Sequence, residues 1–220
     1  MTAGRLLVAT HHPGKLREFE FLLEPHGIAV VGAAALGLAE PEETGTSFAA
    51  NALLKAKAAA EATGLVALAD DSGVVVDGLD GAPGIHSARW AGPERDFELA
   101  ITKVLDALAA RHGSFAAAPK GASFVAVLCL CRPDGTHRLF EGRSTGELIA
   151  APRGARGFGY DPIFVPDGER LSFAEMTAEQ KHAISHRRRA LDAFLAALAA
   201  SGNDLARTAD SRHTPPPSGP

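Results

Sequence analysis

The first thirty-odd residues constrain the fold more than any other part of the chain. Residues 5–9, Arg-Leu-Leu-Val-Ala, form a short apolar run that stops at Thr10-His11-His12-Pro13-Gly14. A run of that length bounded by turn residues reads as a buried strand. From Lys15 the period changes. Leu16, Phe19, Leu22 and Leu23 share a helical face, with Arg17, Glu18 and Glu20 on the other side. Pro25 and Gly27 stop that helix, and residues 28–31 give a second short strand. Strand, loop, helix, strand is a βαβ-like opening and predicts a mixed α/β fold. It also sets residues 10–15 between a strand's carboxyl end and a helix's amino end, where free N–H groups and the positive helix end favour an anion.

The remaining pattern extends this alternation. Ser47 is placed to cap a helix from Phe48 to about Thr63, closed by Gly64. Residues 65–69 read as a strand running into Asp70-Asp71-Ser72-Gly73, and residues 74–77 resume an extended pattern. Residues 78–92 read as a glycine-rich loop holding Ser87-Ala88-Arg89-Trp90, followed by a helix over about 96–110. Strands are predicted over 122–131 and 139–149, the second with Gly142 and Gly146 as candidate bulges. Thr177 with Gln180 forms a capping box for one last helix to about Ala199. Residues 1–200 read as a single domain. Residues 201–220, polar and ending Pro-Pro-Pro-Ser-Gly-Pro, read as a disordered tail.

Composition removes several classes. Lys plus Arg is 22 against 26 Asp plus Glu, a net charge of −4. That excludes a whole-protein basic field for nucleic acid, though not a local basic patch. The two cysteines, Cys129 and Cys131, exclude a disulfide scaffold and a four-cysteine zinc site, and suit a reducing compartment. No run approaches the ~20 apolar residues of a membrane span, and the first apolar run is too short for a secretory signal. The expectation is a cytoplasmic protein with no membrane partner.

Five groups of residues could carry chemistry. Asp70 and Asp71 alternate across a strand, so one can face a cleft while the other serves structure; strand-end carboxylates also suit Mg²⁺. The plain alternative is an Asx turn that satisfies its own backbone. Glu42 and Glu43 are either solvated loop acids or a second carboxylate source for the same metal. Lys15, at a helix amino end, opposes the helix dipole unless an anion neutralises it. Phe158-Gly159-Tyr160-Asp161 could form a slot for a flat base, or an ordinary packed turn. Lys181, His186, Arg187, Arg188 and Arg189 form a basic cluster that could clamp a phosphate or a purine carbonyl, bind nucleic acid, or simply face solvent.

Together these segments carry a resemblance. ATHHPGKLREF, EETGTSFAANALLKA, ADDSG, PGIHSARWAG, GFGYDPIF and KHAISHRRRAL occur in that order between about residues 5 and 197. This set resembles the inosine triphosphate pyrophosphatase family. The resemblance implies two lobes around a long central mixed sheet, with the nucleotide in the cleft between them. It implies Mg²⁺-dependent hydrolysis of non-standard purine nucleoside triphosphates (ITP, dITP, XTP) to monophosphate and pyrophosphate. Thr10, His11, His12, Pro13, Gly14 and Lys15 would hold the triphosphate, and Ser72 would touch substrate. Phe158, Gly159, Tyr160 and Asp161 would form the base slot, completed by Lys181, His186 and Arg187. Glu42 and Asp71 would be the metal carboxylates, with Glu43 the rival of Glu42, and Asp71 the general base. A homodimer is implied, and the 78–95 loop with Trp90 is a candidate for covering a partner surface.

Two positions depart from that family. His12 stands where Asn is usual, and an imidazole charging near pH 6–7 would add pH dependence. Ala50 stands where Glu is common. Two competing readings are a pyrophosphatase for pyrimidine or modified triphosphates, and a nucleotide- or RNA-binding module without turnover.

Overall fold

The computed structural model describes residues 5–200; the expected tail, 201–220, lies outside them. Six strands form one sheet: β1 Arg5–Val8, β2 Ala29–Gly32, β3 Ala67–Val76, β4 Gly121–Cys131, β5 His137–Leu148 and β6 Phe164–Pro166. Six helices cover it: α1 Pro13–Leu23, α2 Phe48–Thr63, α3 Ser87–Trp90, α4 Phe97–His112, α5 Ala178–Ile184 and α6 His186–Ala200. The strand order is β2-β1-β3-β4-β5-β6. β1 pairs in parallel with both β2 and β3, and the other pairings are antiparallel. The chain leaves β1 for β2 on one side and returns to β3 on the other, so a crevice opens at the carboxyl end of β1.

Alternation along the strands divides the cores. Leu6, Val8, Leu68, Ala126, Leu128 and Leu130 face α1 and α6, where Phe19, Leu22 and Phe194 meet them. Leu7, Ala67, Ala69, Val125, Val127, Cys129 and Cys131 face α2, whose Ala52, Ala56, Ala59 and Ala60 let it lie close. Those two layers are the first lobe. A third core gathers the far ends of β3 and β4 with β6 and α4: Val74, Val76, Val104, Leu108, Phe124, Phe164 and Phe173. It is the second lobe. β3 and β4, at 10 and 11 residues, are long enough to serve both. Each wholly buried phenylalanine among these contributes about 1.5–3 kcal/mol. The two cysteines share a buried face as free thiols, and burial pushes Cys129 up to about 12.

The expected caps are present. Ser47 Oγ accepts from Ala50 N, Gly64 closes α2 in the left-handed conformation, and Thr177 and Gln180 cap α5 reciprocally. Four expectations need correction. Asp70-Asp71-Ser72-Gly73 is no turn: β3 runs straight through it, paired residue for residue with Val125–Leu128. The loop at 78–92 contains α3 and two short 3₁₀ turns, and Trp90 packs partly against the second core. The last helix is two, because Ser185 is extended (φ −71°, ψ 153°) between α5 and α6. Gly142 and Gly146 are not bulges, since β4 and β5 stay in one-to-one register past both.

The reason for those glycines is close approach. A Cβ at 142 would lie 2.1 Å from His186 O and 2.4 Å from Ala190 N; at 146 it would lie 2.2 Å from Val165 O. Gly142 thus lets the first turn of α6 rest on β5, which sets where His186 and Arg187 reach. Gly142→Ala is expected to destabilise the fold by about 2–3 kcal/mol, since backbone atoms cannot move aside as a side chain does. Urea unfolding checks this, and an unchanged midpoint would contradict the packing.

Candidate active site

The crevice between the lobes is lined at its first side by the β1–α1 loop: Thr10, His11, His12 and Lys15. Thr10 Oγ1 accepts from His12 N, and His12 Nδ1 accepts from Lys15 N at 3.3 Å, capping α1. An accepting Nδ1 leaves the ring proton on Nε2. Burial, then the charges of Lys15, Arg95 and Arg187, lower the His12 pKa. The expected charging of His12 near pH 6–7 is therefore moved lower. His11 Nε2 lies 2.7 Å from Leu38 O and ties the loop to the chain after β2. Pro13 is exposed, and neither it nor Gly14 lines the crevice; both begin α1. The anion that steadies Lys15 is internal: its Nζ is 2.7 Å from Asp70 Oδ1.

The two acids of β3 part at the pleat. Asp70 follows Leu68 onto the α1/α6 side, and Asp71 follows Ala69 onto the α2 side. Burial alone would raise Asp70, but Lys15, Arg187 and Lys55 override it and hold the carboxyl far below its usual range. Asp71 receives Lys55 Nζ on Oδ1 at 2.9 Å and Asn51 Nδ2 on Oδ2 at 3.2 Å. Burial pushes Asp71 above the usual carboxylate value, and Lys55 offsets only part of that. Asn51 Oδ1 accepts from Gly45 N, holding the loop before α2, and Lys55 Nζ also lies 2.8 Å from Glu43 Oε1. Glu43, not Glu42, faces the crevice. Neighbouring loop residues point apart, Arg89 donates to the Glu43 carbonyl, and Glu42 is left exposed.

The far side comes from α5, α6 and the 158–161 turn. Arg187 is 1% exposed. It donates through Nε to Asp70, through Nη1 to Glu18 on α1, and through Nη2 to Ser72 Oγ. Burial opposes its charge, but Glu18 and Asp70 raise its pKa. Lys181 Nζ meets Asp161 Oδ2 at 2.5 Å, and the same oxygen accepts from Phe158 N. Asp161 thus fixes the turn, and its carboxyl is raised by burial more than Lys181 lowers it. The Phe158 ring lies between His12, at 5.1 Å, and the Lys181 ammonium, at 4.9 Å. Tyr160 also lines the crevice. It is buried edge-on to Phe97 and donates its hydroxyl to Ser87 O. His186 stacks on Phe124 with ring centres 5.0 Å apart. Arg188 and Arg189 leave the site, to Asp192 and to the Arg143 carbonyl.

The lining carries five cations, Lys15, Lys55, Arg95, Lys181 and Arg187, against five acids, Glu40, Glu43, Asp70, Asp71 and Asp161. The site is balanced as it stands. A bound polyanion would leave it negative, which a divalent cation would correct. Among the described residues no cluster of three His, Cys, Asp or Glu could cage a metal. Mg²⁺ needs no such cage, because one or two carboxylates plus substrate phosphates suffice. Glu43 and Asp71, joined through one ammonium, fit that requirement.

Sequence reasoning missed Lys55, Asn51 and Glu18. The first two lie four apart on the alanine face of α2, and two polar residues interrupting that buried face were the available signal. The helical pattern sets Glu18 on the solvent side, but it lies one turn after Lys15 and is buried against Arg187.

A mixed sheet with charged side chains gathered at the carboxyl end of a parallel pair defines an α/β protein with a charged crevice at its topological switch point. The chain belongs to the Ham1 family, whose model matches residues 6–197. A dITP/XTP pyrophosphatase of Zymomonas mobilis is 58% identical over 194 residues, covering 88% of this chain and 91% of that protein. One from Brucella melitensis is 51% identical over 202 residues, covering 87% and 91%. Among solved structures, a HAM1 protein from Coxiella burnetii aligns at a TM-score of 0.81 with 37% identity, over 89% of this chain and 98% of that one. The Staphylococcus aureus Ham1 protein aligns at 0.78 with 36% identity, over 90% and 100%.

Burial, followed by the charges of Arg187 and Lys181, takes His186 well below its usual 6.5. Burial likewise lowers His12 and His182. The folded chain thus refuses protons that the unfolded chain accepts below about pH 6.5. The stability these groups contribute is present above that value and lost as pH falls through the depressed folded values. Thermal unfolding midpoints are expected to stay level from pH 8 to 7 and to fall below pH 6.5. A midpoint unchanged down to pH 5 would contradict neutral, buried imidazoles.

Proposed function

We propose that this chain hydrolyses non-standard purine nucleoside triphosphates, ITP, dITP and XTP, to the monophosphate and pyrophosphate. The observation that carries the reading is the crevice itself. A capped helix start with its lysine, two carboxylates bridged by a lysine, and a phenylalanine ring flanked by cations meet in one place. The names borne by relatives at 50–58% identity support the same reaction.

In this reading Lys15, Thr10, His11 and His12 receive the triphosphate at the start of α1. His12 serves through its Nε2–H, and Pro13 and Gly14 shape the turn. Glu43 and Asp71 are the carboxylates for Mg²⁺, which would supply charge neutralisation on the phosphates. Asp71 takes the proton of the attacking water. The water oxygen forms a bond to the α-phosphorus, the bridging P–O bond to the β-phosphate breaks, and pyrophosphate departs. Burial raises the Asp71 pKa, which makes its carboxylate a stronger base. Phe158 stacks on the base, with Gly159 leaving room beside it. Tyr160 and Asp161 hold the slot in shape. Lys181, His186 and Arg187 supply N–H groups around it, and Ser72 touches substrate beside Arg187. A purine 6-oxo group accepts a hydrogen bond where adenine's amine offers none, so an arginine donor separates hypoxanthine and xanthine from adenine; guanine shares the 6-oxo group and is rejected at its 2-amino group instead.

The chain works on free nucleotides in the cytoplasm as a homodimer, in keeping with its family. No helix of the described residues is long and apolar enough to cross a membrane. Arg188 and Arg189 are engaged within the fold, which weighs against an RNA-binding role.

Pyrophosphate release from ITP, XTP, dATP, dGTP and dTTP, each with and without Mg²⁺, tests the proposal. Fast release confined to ITP and XTP and lost on chelation is expected. Equal rates on all bases, or orthophosphate as the product, would contradict it.

A further inference from the structure

Lys55 has a placement that binding of phosphate alone does not explain. Its ammonium lies 2.8 Å from Glu43 Oε1 and 2.9 Å from Asp71 Oδ1, so a single cation spans both carboxylates. The side chain is 9% exposed. It leaves the buried face of α2 beside Ala52 and Ala56, where the helix packs on the sheet. Asn51, one turn earlier, holds Asp71 Oδ2 and the Gly45 amide, so neither the carboxylate nor the loop carrying Glu43 is free to swing away. Lys15 and Arg187 make their direct ion pairs with Asp70 on the other face of β3, and Lys55 is the cation in contact with both carboxylates on this side.

A divalent cation entering between Glu43 and Asp71 would meet that ammonium at contact distance, in a lining whose charges already cancel. A triphosphate changes both terms. Its oxygens offer the ammonium new partners, and its charge makes room for the cation. We propose that Lys55 is the resident counter-cation of the Glu43–Asp71 pair and keeps the metal subsite weak until a triphosphate arrives to take over the ammonium. The proposal rests on Glu43 and Asp71 being the metal carboxylates. Its consequence is positive coupling: nucleotide and metal each strengthen the other's binding.

The test is titration of the nucleotide-free protein with Mn²⁺, reading unbound ion by electron paramagnetic resonance at neutral pH. The parent is expected to bind weakly, and Lys55→Met at least tenfold more tightly. Lys55→Gln carries the same test if the methionine variant fails to fold. Mg²⁺ should also raise the melting temperature of Lys55→Gln more than that of the parent, which a merely structural lysine would not produce. Affinity unchanged or weakened, or equal melting shifts, would overturn the proposal. Adding Glu43→Gln to the Lys55 variant should abolish the gain. A gain that survives it would instead place the metal elsewhere and overturn the assignment of the carboxylates.

Discussion

Arg187 leaves the first turn of α6 and reaches acceptors on two other elements, Glu18 on α1 and Asp70 and Ser72 on β3. A guanidinium this deeply buried is tolerable only when its donors are met, and removing one partner of such a pair costs about 3–5 kcal/mol. Everything around the crevice refers to this group. Asp70 shares its negative charge between Arg187 and Lys15, so α1, which follows the β1–α1 loop, and α6, on the far side of the crevice, are bound to one carboxylate. Gly142 lets α6 come near enough for that reach. Phe158 lies over both Arg187 and Lys181.

The pleat of β3 then separates structure from chemistry. One residue further along the strand, Asp71 points at α2 and meets in direct contact a lysine shared with Glu43, where Asp70 meets Lys15 and Arg187. The same residue type thus acquires opposite acidities on opposite faces of one strand. On one side it is a permanent anion that anchors helices. On the other it is a carboxylate that burial makes more basic and that Lys55 holds against Glu43. The second lobe adds shape, with Tyr160 tied to Ser87 and His186 laid on Phe124.

Much of this was legible in the sequence where a local signal had a single physical outcome. Apolar runs ended by Pro and Gly marked β1 and β2, Ser47 and Gly64 bounded α2, and Thr177 with Gln180 opened α5. The motif order pointed to the family. Signals with two outcomes were less readable. Asp-Asp-Ser-Gly resembles a turn, yet ten residue-for-residue pairings with β4 carry the strand through it. Gly142 reads as a bulge until α6 is seen resting on it. The helix break at Ser185 has no Pro or Gly to announce it. Glu18 looked solvated because its partner, Arg187, lies 169 positions away. The choice between Glu42 and Glu43 depended on which way a loop turned, which Lys55 and Arg89 decide.

The most direct test of this division between neighbouring acids compares Asp70→Asn with Asp71→Asn for melting temperature and for pyrophosphate release from ITP. Asp71→Asn is expected to keep its melting temperature within a few degrees of the parent while losing about 10²–10⁴-fold in turnover, the usual contribution of a general base. Asp70→Asn is expected to unfold at markedly lower temperature, since it strips Arg187 and Lys15 of a shared partner. An Asp71→Asn variant that turns over at the parent rate, or an Asp70→Asn variant as stable as the parent, would contradict the account.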